Sequence, residues 1–298
     1  MTRTSIATPL FAGLLSLSVL TAAFAEAPPR HRILIAEYNP AGHRLLEVSR
    51  EGQLVWQHKL PGFCVQFQVL ASGNIVYGYS GKPTGTREID RDGKVVWSYE
   101  SPSPEAVCFD RLASGNTLVA ETEPCRVVEV TPAGKIVSTV KITTSDPHYH
   151  TQIRRIQHLD GGNILAALSG EEVAREFRPD GSVAWENGKH HWLFQALRLP
   201  SGNTLLSCGT ENRLVEVDPS GKTVWELKPQ DVPEVGMIWT TGVERLENGN
   251  LLVSNFLHGR KEPGAHAFEV TRDKKVVWQF SDRKLVNATC LVKYLDEK

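Results

Sequence analysis

The strongest constraint on this chain is a tract, Leu-x-x-Gly-Asn followed by an apolar run. It occurs five times, ending at Asn74, Asn116, Asn163, Asn203 and Asn250, with spacings of 42, 47, 40 and 47 residues. A second tract, a turn glycine with Trp four residues later, appears as Gly52/Trp56, Gly93/Trp97, Gly181/Trp185 and Gly221/Trp225, and Gly134/Ser138 and Lys274/Trp278 are degenerate copies. A chain that repeats at this period folds as units that cannot bury their apolar faces alone and must pack against like neighbours.

Each unit supplies four short apolar runs, for example Leu197 to Leu199, Thr204 to Ser207, Arg213 to Val217 and Thr223 to Leu227. Ser-Gly-Asn and Pro-Ser-Gly separate them, and Gly and Asn accept the positive φ that hairpin turns require. β-branched and aromatic residues fill the runs, and no apolar stretch keeps a helical period for 12 residues beyond the N-terminal segment. Four antiparallel strands per repeat predict a propeller blade. The first blade has the strand Ile33 to Glu37 but no Leu-x-x-Gly-Asn lead-in, whereas Cys290 to Leu295 matches such lead-ins as Cys108 to Leu112. The expectation is an all-β, six-bladed β-propeller with four-stranded antiparallel blades, its first blade closed by the C-terminal strand, leaving no open sheet edge. Residues 26–298 are expected to form that single domain.

Met1 to Ala25 reads as a signal peptide: a charged start at Arg3, an apolar stretch from Pro9 to Phe24, and Ala23-Phe24-Ala25 before a cleavage point at Glu26. The apolar run is shorter than the roughly 20 residues that span a bilayer. The mature chain is therefore expected to be exported, periplasmic or secreted, with no membrane span. A net charge of -1 gives no attraction to nucleic acid. Export permits disulfides, but Cys64, Cys108, Cys125, Cys208 and Cys290 are odd in number and include no Cys-x-x-Cys.

The Gly-x-x-x-Trp turns and the aspartates before them, Asp90/Gly93/Trp97 and Asp218/Gly221/Trp225, resemble the quinoprotein-type (PQQ-like, Trp-docking) β-propeller repeat. The phrase from Arg213 to Trp225 is similar to repeats of six-bladed arylsulfotransferase-type propellers. The resemblance implies the fold and is carried by structural positions. Six blades and the lack of adjacent cysteines speak against a bound quinone.

The turns within each blade lie on one face of such a disc, so the variable connections share the other face, where binding residues collect on a rigid scaffold. Most histidines fall in or beside these loops: His43, His58, His148, His150, His190, His191, His258 and His266. His148/His150 and His190/His191 precede adjacent innermost strands and are expected to lean over one sector of a central mouth, where imidazoles act as nucleophile or base or hold a metal. The plainer alternative is that histidine simply favours polar loops. Counting five residues past each repeated Asn brings Glu121 and Asn255, with Glu37 equivalent in blade 1, to the mouth or just beneath it. Stepping by two along the innermost strands gives a polar channel layer of Gln68, Asp110, Gln157, Leu197, Glu244 and Lys293. Above it come Gln66, Cys108, Arg155, Gln195, Gly242 and Leu291, with Arg155 a fixed cation for a sulfate, phosphate or carboxylate. Trp192 and Trp239 enter their innermost strands from the variable face, as a platform for a sugar or aromatic ring or as a plug.

Two functions follow. The first is a recognition scaffold binding a protein or glycan ligand through Glu37, Glu121, Asn255, Trp192, Trp239 and His258. The second is an enzyme, a sulfuryl transferase or metal-dependent lyase or hydrolase, using His148, His150, His190, His191 and Arg155. Neither a Gly-x-Ser-x-Gly elbow nor a phosphate-binding loop is present.

Overall fold

The computed structural model describes residues 31–259 and 263–296; the signal segment proposed for residues 1–25 lies outside them. The described residues build six four-stranded antiparallel sheets, each consecutive in sequence except the first, whose order begins with the C-terminal strand. That strand, Ala288–Tyr294, pairs with Ile33–Tyr38 in the register Ile33 to Tyr294 and Ile35 to Val292, closing the ring as the lead-in residues require. The innermost strands of blades 2 to 6 are Phe67–Val69, Cys108–Arg111, Arg155–His158, Leu193–Arg198 and Thr240–Arg245.

Both repeated tracts act as fasteners. The turn asparagines reach a glutamate on the third strand of the same blade: Asn74 donates to Glu88 at 2.8 Å, Asn163 to Glu176 at 2.6 Å and Asn203 to Glu216 at 2.7 Å. Between blades, Trp56, Trp185 and Trp225 donate their indole N–H to backbone oxygens of Arg91, Pro219 and Arg272 at 2.8–3.0 Å. Arg272 also lies over the Trp225 ring at 4.2 Å and pairs with Glu216 at 2.6 Å, so one Arg joins the Trp latch to the glutamate. Each such neutral hydrogen bond nets about 1 kcal/mol, and the latch is made in three of the blades. In blade 6 the turn glycine is replaced by Lys274, which takes the left-handed backbone (φ 64°) and donates to Asp231 at 2.9 Å.

Candidate functional site

Near the loop face each innermost strand passes through an irregularity that changes which side chains face the axis. In blades 5, 6 and 1 the ladder skips Phe194, Thr241 and Cys290, and in blade 4 both Arg154 and Arg155 lie against Ala167. One inserted residue bends the strand and reverses the parity of everything above it. Below the bulge, the axis is lined by residues two and four before the repeated Leu. Above it, residues five and seven before supply the lining: Val65, Arg154, Phe194, Thr241 and Cys290, then Phe63, Trp192 and Trp239.

These residues, with Tyr38, His150, Phe256 and His258, enclose a cup of about 400 Å³ on the loop face. Its wall is a closed circuit of rings. Phe194 meets Trp239 (6.0 Å), Trp239 meets Phe256 (5.9 Å), Phe256 meets Tyr38 (5.5 Å) and Tyr38 meets His43 (5.1 Å). His43 then meets Phe63 (6.3 Å) and Phe63 meets His150 (6.0 Å). Arg154 completes the circle, 3.3 Å from His150 Nε2 and 4.9 Å from the Phe194 centroid. Most of these contacts are edge-to-face, the arrangement ring quadrupoles favour, so the wall is held by its own packing.

Trp192 stands exposed at the rim, stacked on Phe194 and edge-on to Trp239. Its backbone is left-handed (φ 49°), a conformation costing a bulky residue about 1–3 kcal/mol that the surrounding packing must over-determine. Gly209 lies under this cluster, and a Cβ there would collide with the Trp239 indole and the Phe194 ring.

One polar corner interrupts the apolar wall. Glu105, from the connection between blades 2 and 3, accepts from His150 Nδ1 at 2.8 Å and lies 3.4 Å from Arg154 Nη1; Glu105 and Arg154 are both buried. Arg154 also donates to the His150 carbonyl at 3.1 Å. The half-buried His150 ring therefore stands between a fixed anion and a fixed cation at the cavity surface. Burial pushes the Cys290 thiol in the same wall up to about 12, so it is no nucleophile at neutral pH.

The residues chosen from the sequence divide. His150, Trp192, Trp239 and His258 line the cup. The two histidine pairs do not converge. His148 is exposed beside Tyr149, and the single helical turn Tyr149–Gln152 carries only His150 inward. His191 is exposed and paired with Glu172, while His190, its neighbour on the chain, is buried away from the cup beside Cys208. His58 sits on the outer strand Leu54–Lys59, stacked on Trp56.

Glu37, Glu121 and Asn255 lie beneath the rim rather than in the cup lining, fully buried and bonded within the scaffold. Glu37 accepts from Arg44 and from the Asn287 backbone; Glu121 accepts from Tyr99, Ser101 and Arg126. Asn255 accepts from the Ile238 and Trp239 amides, fixing the loop that delivers Trp239. Arg155 stays in the channel layer that strand parity gives it and does not line the cup. It is buried below the bulge, donates to Gln195 at 2.9 Å and to the Val65 carbonyl, and lies at the floor between the cup and the channel on the turn face. Burial lowers it to about 10.

That channel, about 440 Å³, is lined by the polar layer counted from the sequence. Its amides clip neighbouring blades together: Gln157 accepts from Arg198 N at 2.7 Å, Gln68 from Arg111 N at 2.9 Å, and Gln195 accepts from Val243 N while donating to Val243 O. Arg154, Glu105, Phe63, Phe194, Tyr38 and Phe256 escaped the sequence reading. For Arg154, Phe194, Glu105 and Phe63 the signal was the register five and seven before the repeated Leu, and for Tyr38 and Phe256 it was the position at or just after the end of the second strand, next to Glu37 and Asn255.

Fold and repeats together define a PQQ-type β-propeller. The chain belongs to the family described as outer membrane protein assembly factor BamB, whose profile matches residues 20–193, more than half its length. No curated protein matches it in sequence. Among solved structures it is similar to a protein of unknown function from Bacteroides caccae, with 23% identity, 88% of this chain and 98% of that one covered, and a TM-score of 0.79. Virginiamycin B lyase from Staphylococcus aureus is more distant, at 15% identity, 72% and 68% coverage and a TM-score of 0.53. A streptogramin B lyase shares 11% identity over 87% and 85%, with a TM-score of 0.58. These likenesses show the fold alone.

Proposed function

We propose that the protein is an exported recognition scaffold whose loop-face cup takes an aromatic or apolar side chain of a protein partner. The observation that carries this reading is the circuit of rings closed by Arg154, with one polar Arg154–Glu105–His150 corner. Apolar wall area supplies binding free energy, and a few convergent polar groups set orientation. Arg154 is suited to a backbone carbonyl or carboxylate beside the inserted side chain. The rings stand mostly edge-to-face to one another, which makes a socket for a side chain rather than a flat platform for a sugar. Export rests on the sequence of residues 1–25 and accords with the family's outer-membrane description.

The test sets an aromatic tripeptide against a linear oligosaccharide, following tryptophan fluorescence of the mature protein. Saturable quenching by the peptide that Trp239→Ala abolishes is expected. A response to the sugar alone, or to neither, defeats the proposal.

A second reading, sulfuryl transfer, draws on the same corner. Glu105 holds His150 Nδ1, so Nε2 carries the lone pair and accepts from Arg154. With that guanidinium turned onto the sulfate oxygens, Nε2 would attack sulfur as the S–O bond to the aryl group breaks and phenolate leaves, and the acceptor phenol would then take the sulfuryl group from Nε2. Transfer from an aryl sulfate to a phenol, lost in His150→Ala, would establish it.

A further inference from the structure

A second constellation lies outside the cup. His190 comes from the connection between blades 4 and 5, and Cys208 and Glu211 from the end of the second strand of blade 5 and the turn after it. A nitrogen, a sulfur and a carboxylate oxygen from these three residues lie within 4.8 Å of one another. His190 and Cys208 are buried, and Glu211 is partly so.

The hydrogen bonding of His190 assigns its free lone pair. Asn187 Nδ2 donates to the Gly221 carbonyl at 3.2 Å, which fixes the amide and directs Oδ1 at His190 Nε2, 2.6 Å away. Nε2 must therefore carry the proton and donate it. Nδ1 is left with a lone pair, buried and without a hydrogen-bond partner. The residue is only 7% exposed, so water does not compensate for a lone pair that costs about 1–3 kcal/mol when unsatisfied. A histidine with one N–H held by a carbonyl and the other nitrogen bare beside a thiol and a carboxylate has the arrangement of a metal-binding imidazole with its orienting partner.

We propose that His190 Nδ1, Cys208 Sγ and a Glu211 carboxylate oxygen bind one zinc-class divalent ion. Thiolate with imidazole selects zinc over magnesium or calcium, and three protein donors leave a fourth position for water or another ligand. Ligand atoms around tetrahedral zinc lie roughly 3.3–3.8 Å apart, given Zn–S of about 2.3 Å and Zn–N of about 2.1 Å, so small side-chain adjustments close the site. Burial and then the nearby Glu211 push the Cys208 thiol up to about 12, so binding must displace its proton to solvent. Arg213 accompanies Glu211 at 2.8 Å and leaves the second carboxylate oxygen for the ion. The turn holds its geometry through the backbone N–H of Asn212, which donates to the Gly209 carbonyl at 3.0 Å.

Cobalt titration of chelator-treated mature protein tests this, because a cobalt–thiolate bond gives a charge-transfer band. One equivalent of cobalt should develop that band and strong four-coordinate d–d absorption, both displaced by zinc. Cys208→Ser should remove the charge-transfer band and His190→Gln should weaken binding at least tenfold, whereas Cys125→Ser should change neither. X-ray absorption of zinc-loaded wild-type protein should find one sulfur neighbour, a readout independent of whether the variants fold. Absence of one-equivalent uptake, a zinc shell without sulfur, or a band that survives Cys208→Ser overturns the proposal.

Discussion

The two ends of the propeller axis are built from the same six strands and have opposite characters. On the turn face, Gln68, Gln157 and Gln195 spend their hydrogen bonds on neighbouring blades, on the backbone and on the side chains of Asp110 and Arg155. On the loop face, the wall is aromatic, its polar groups gather in one corner, and a rim tryptophan is held in a costly backbone conformation. Stability is concentrated where polar groups are satisfied by one another. Capacity for a ligand is concentrated where apolar surface stays open and pre-shaped. A single bulge per innermost strand separates the two regimes.

The largest expected effect that sharpens this contrast is the response to acid. Burial lowers His266, beneath the loop face, to about 4. Its unfolded imidazole takes a proton near 6.5, so between those values the unfolded state binds more protons and stability falls with pH, by about 3 kcal/mol at 1.36 kcal/mol per unit. Desolvation raises Asp110 at the turn end, so its contribution has the opposite sign and strengthens as pH falls through its folded value. Urea unfolding at pH 7 and pH 4.5 should show the loss, and His266→Leu should flatten it; an unchanged slope in that variant removes the assignment.

Next in size is Arg155→Met, which strips donors from Gln195 and the Val65 carbonyl and should cost about 2–3 kcal/mol in urea unfolding while leaving cup binding intact. A variant that loses binding but keeps its stability would place Arg155 in the site instead. Trp239→Ala should do the reverse, weakening an aromatic peptide by tenfold or more, since a buried aromatic anchor carries about 2 kcal/mol of such binding. Calorimetric titration measures it. The smallest effect is Gln157→Ala, which removes one inter-blade clip and should lower stability by about 1 kcal/mol with no change in affinity. Affinity that falls with it would merge the two ends into one functional unit.

The fold was legible because its signals are local and repeated. Gly-Asn and Gly-x-x-x-Trp mark turns by their positive φ and, in three blades, a latching indole, and the Cys290 to Leu295 lead-in disclosed the closure. The channel layer was legible for the same reason, since strand parity is two. The cup was only partly so. Parity counting offered Arg155 as the cation for a ligand, but above the bulge the cation that faces the cup is Arg154, one residue away. Trp192 and Trp239 were legible as tryptophans without the blade signature. Glu105 and Phe63 occupy the same repeat position as those two, but this was hidden while side chains were counted in twos. The histidine pairs failed as pairs because neighbours on a chain point apart: His190 goes into the scaffold and His191 to solvent.

The seven tryptophans contain the decisive measurement. Trp56, Trp97, Trp185, Trp225 and Trp278 sit on the outer strands of their blades, while Trp192 and Trp239 stand at the cup. Indole N–H resonances of nitrogen-labelled protein, followed as an aromatic tripeptide is added, report on both groups in one sample. The cup account predicts saturable shifts in the Trp192 and Trp239 signals with the other five still. Shifts confined to the five outer-strand signals, or none at a concentration that saturates binding by calorimetry, would contradict it.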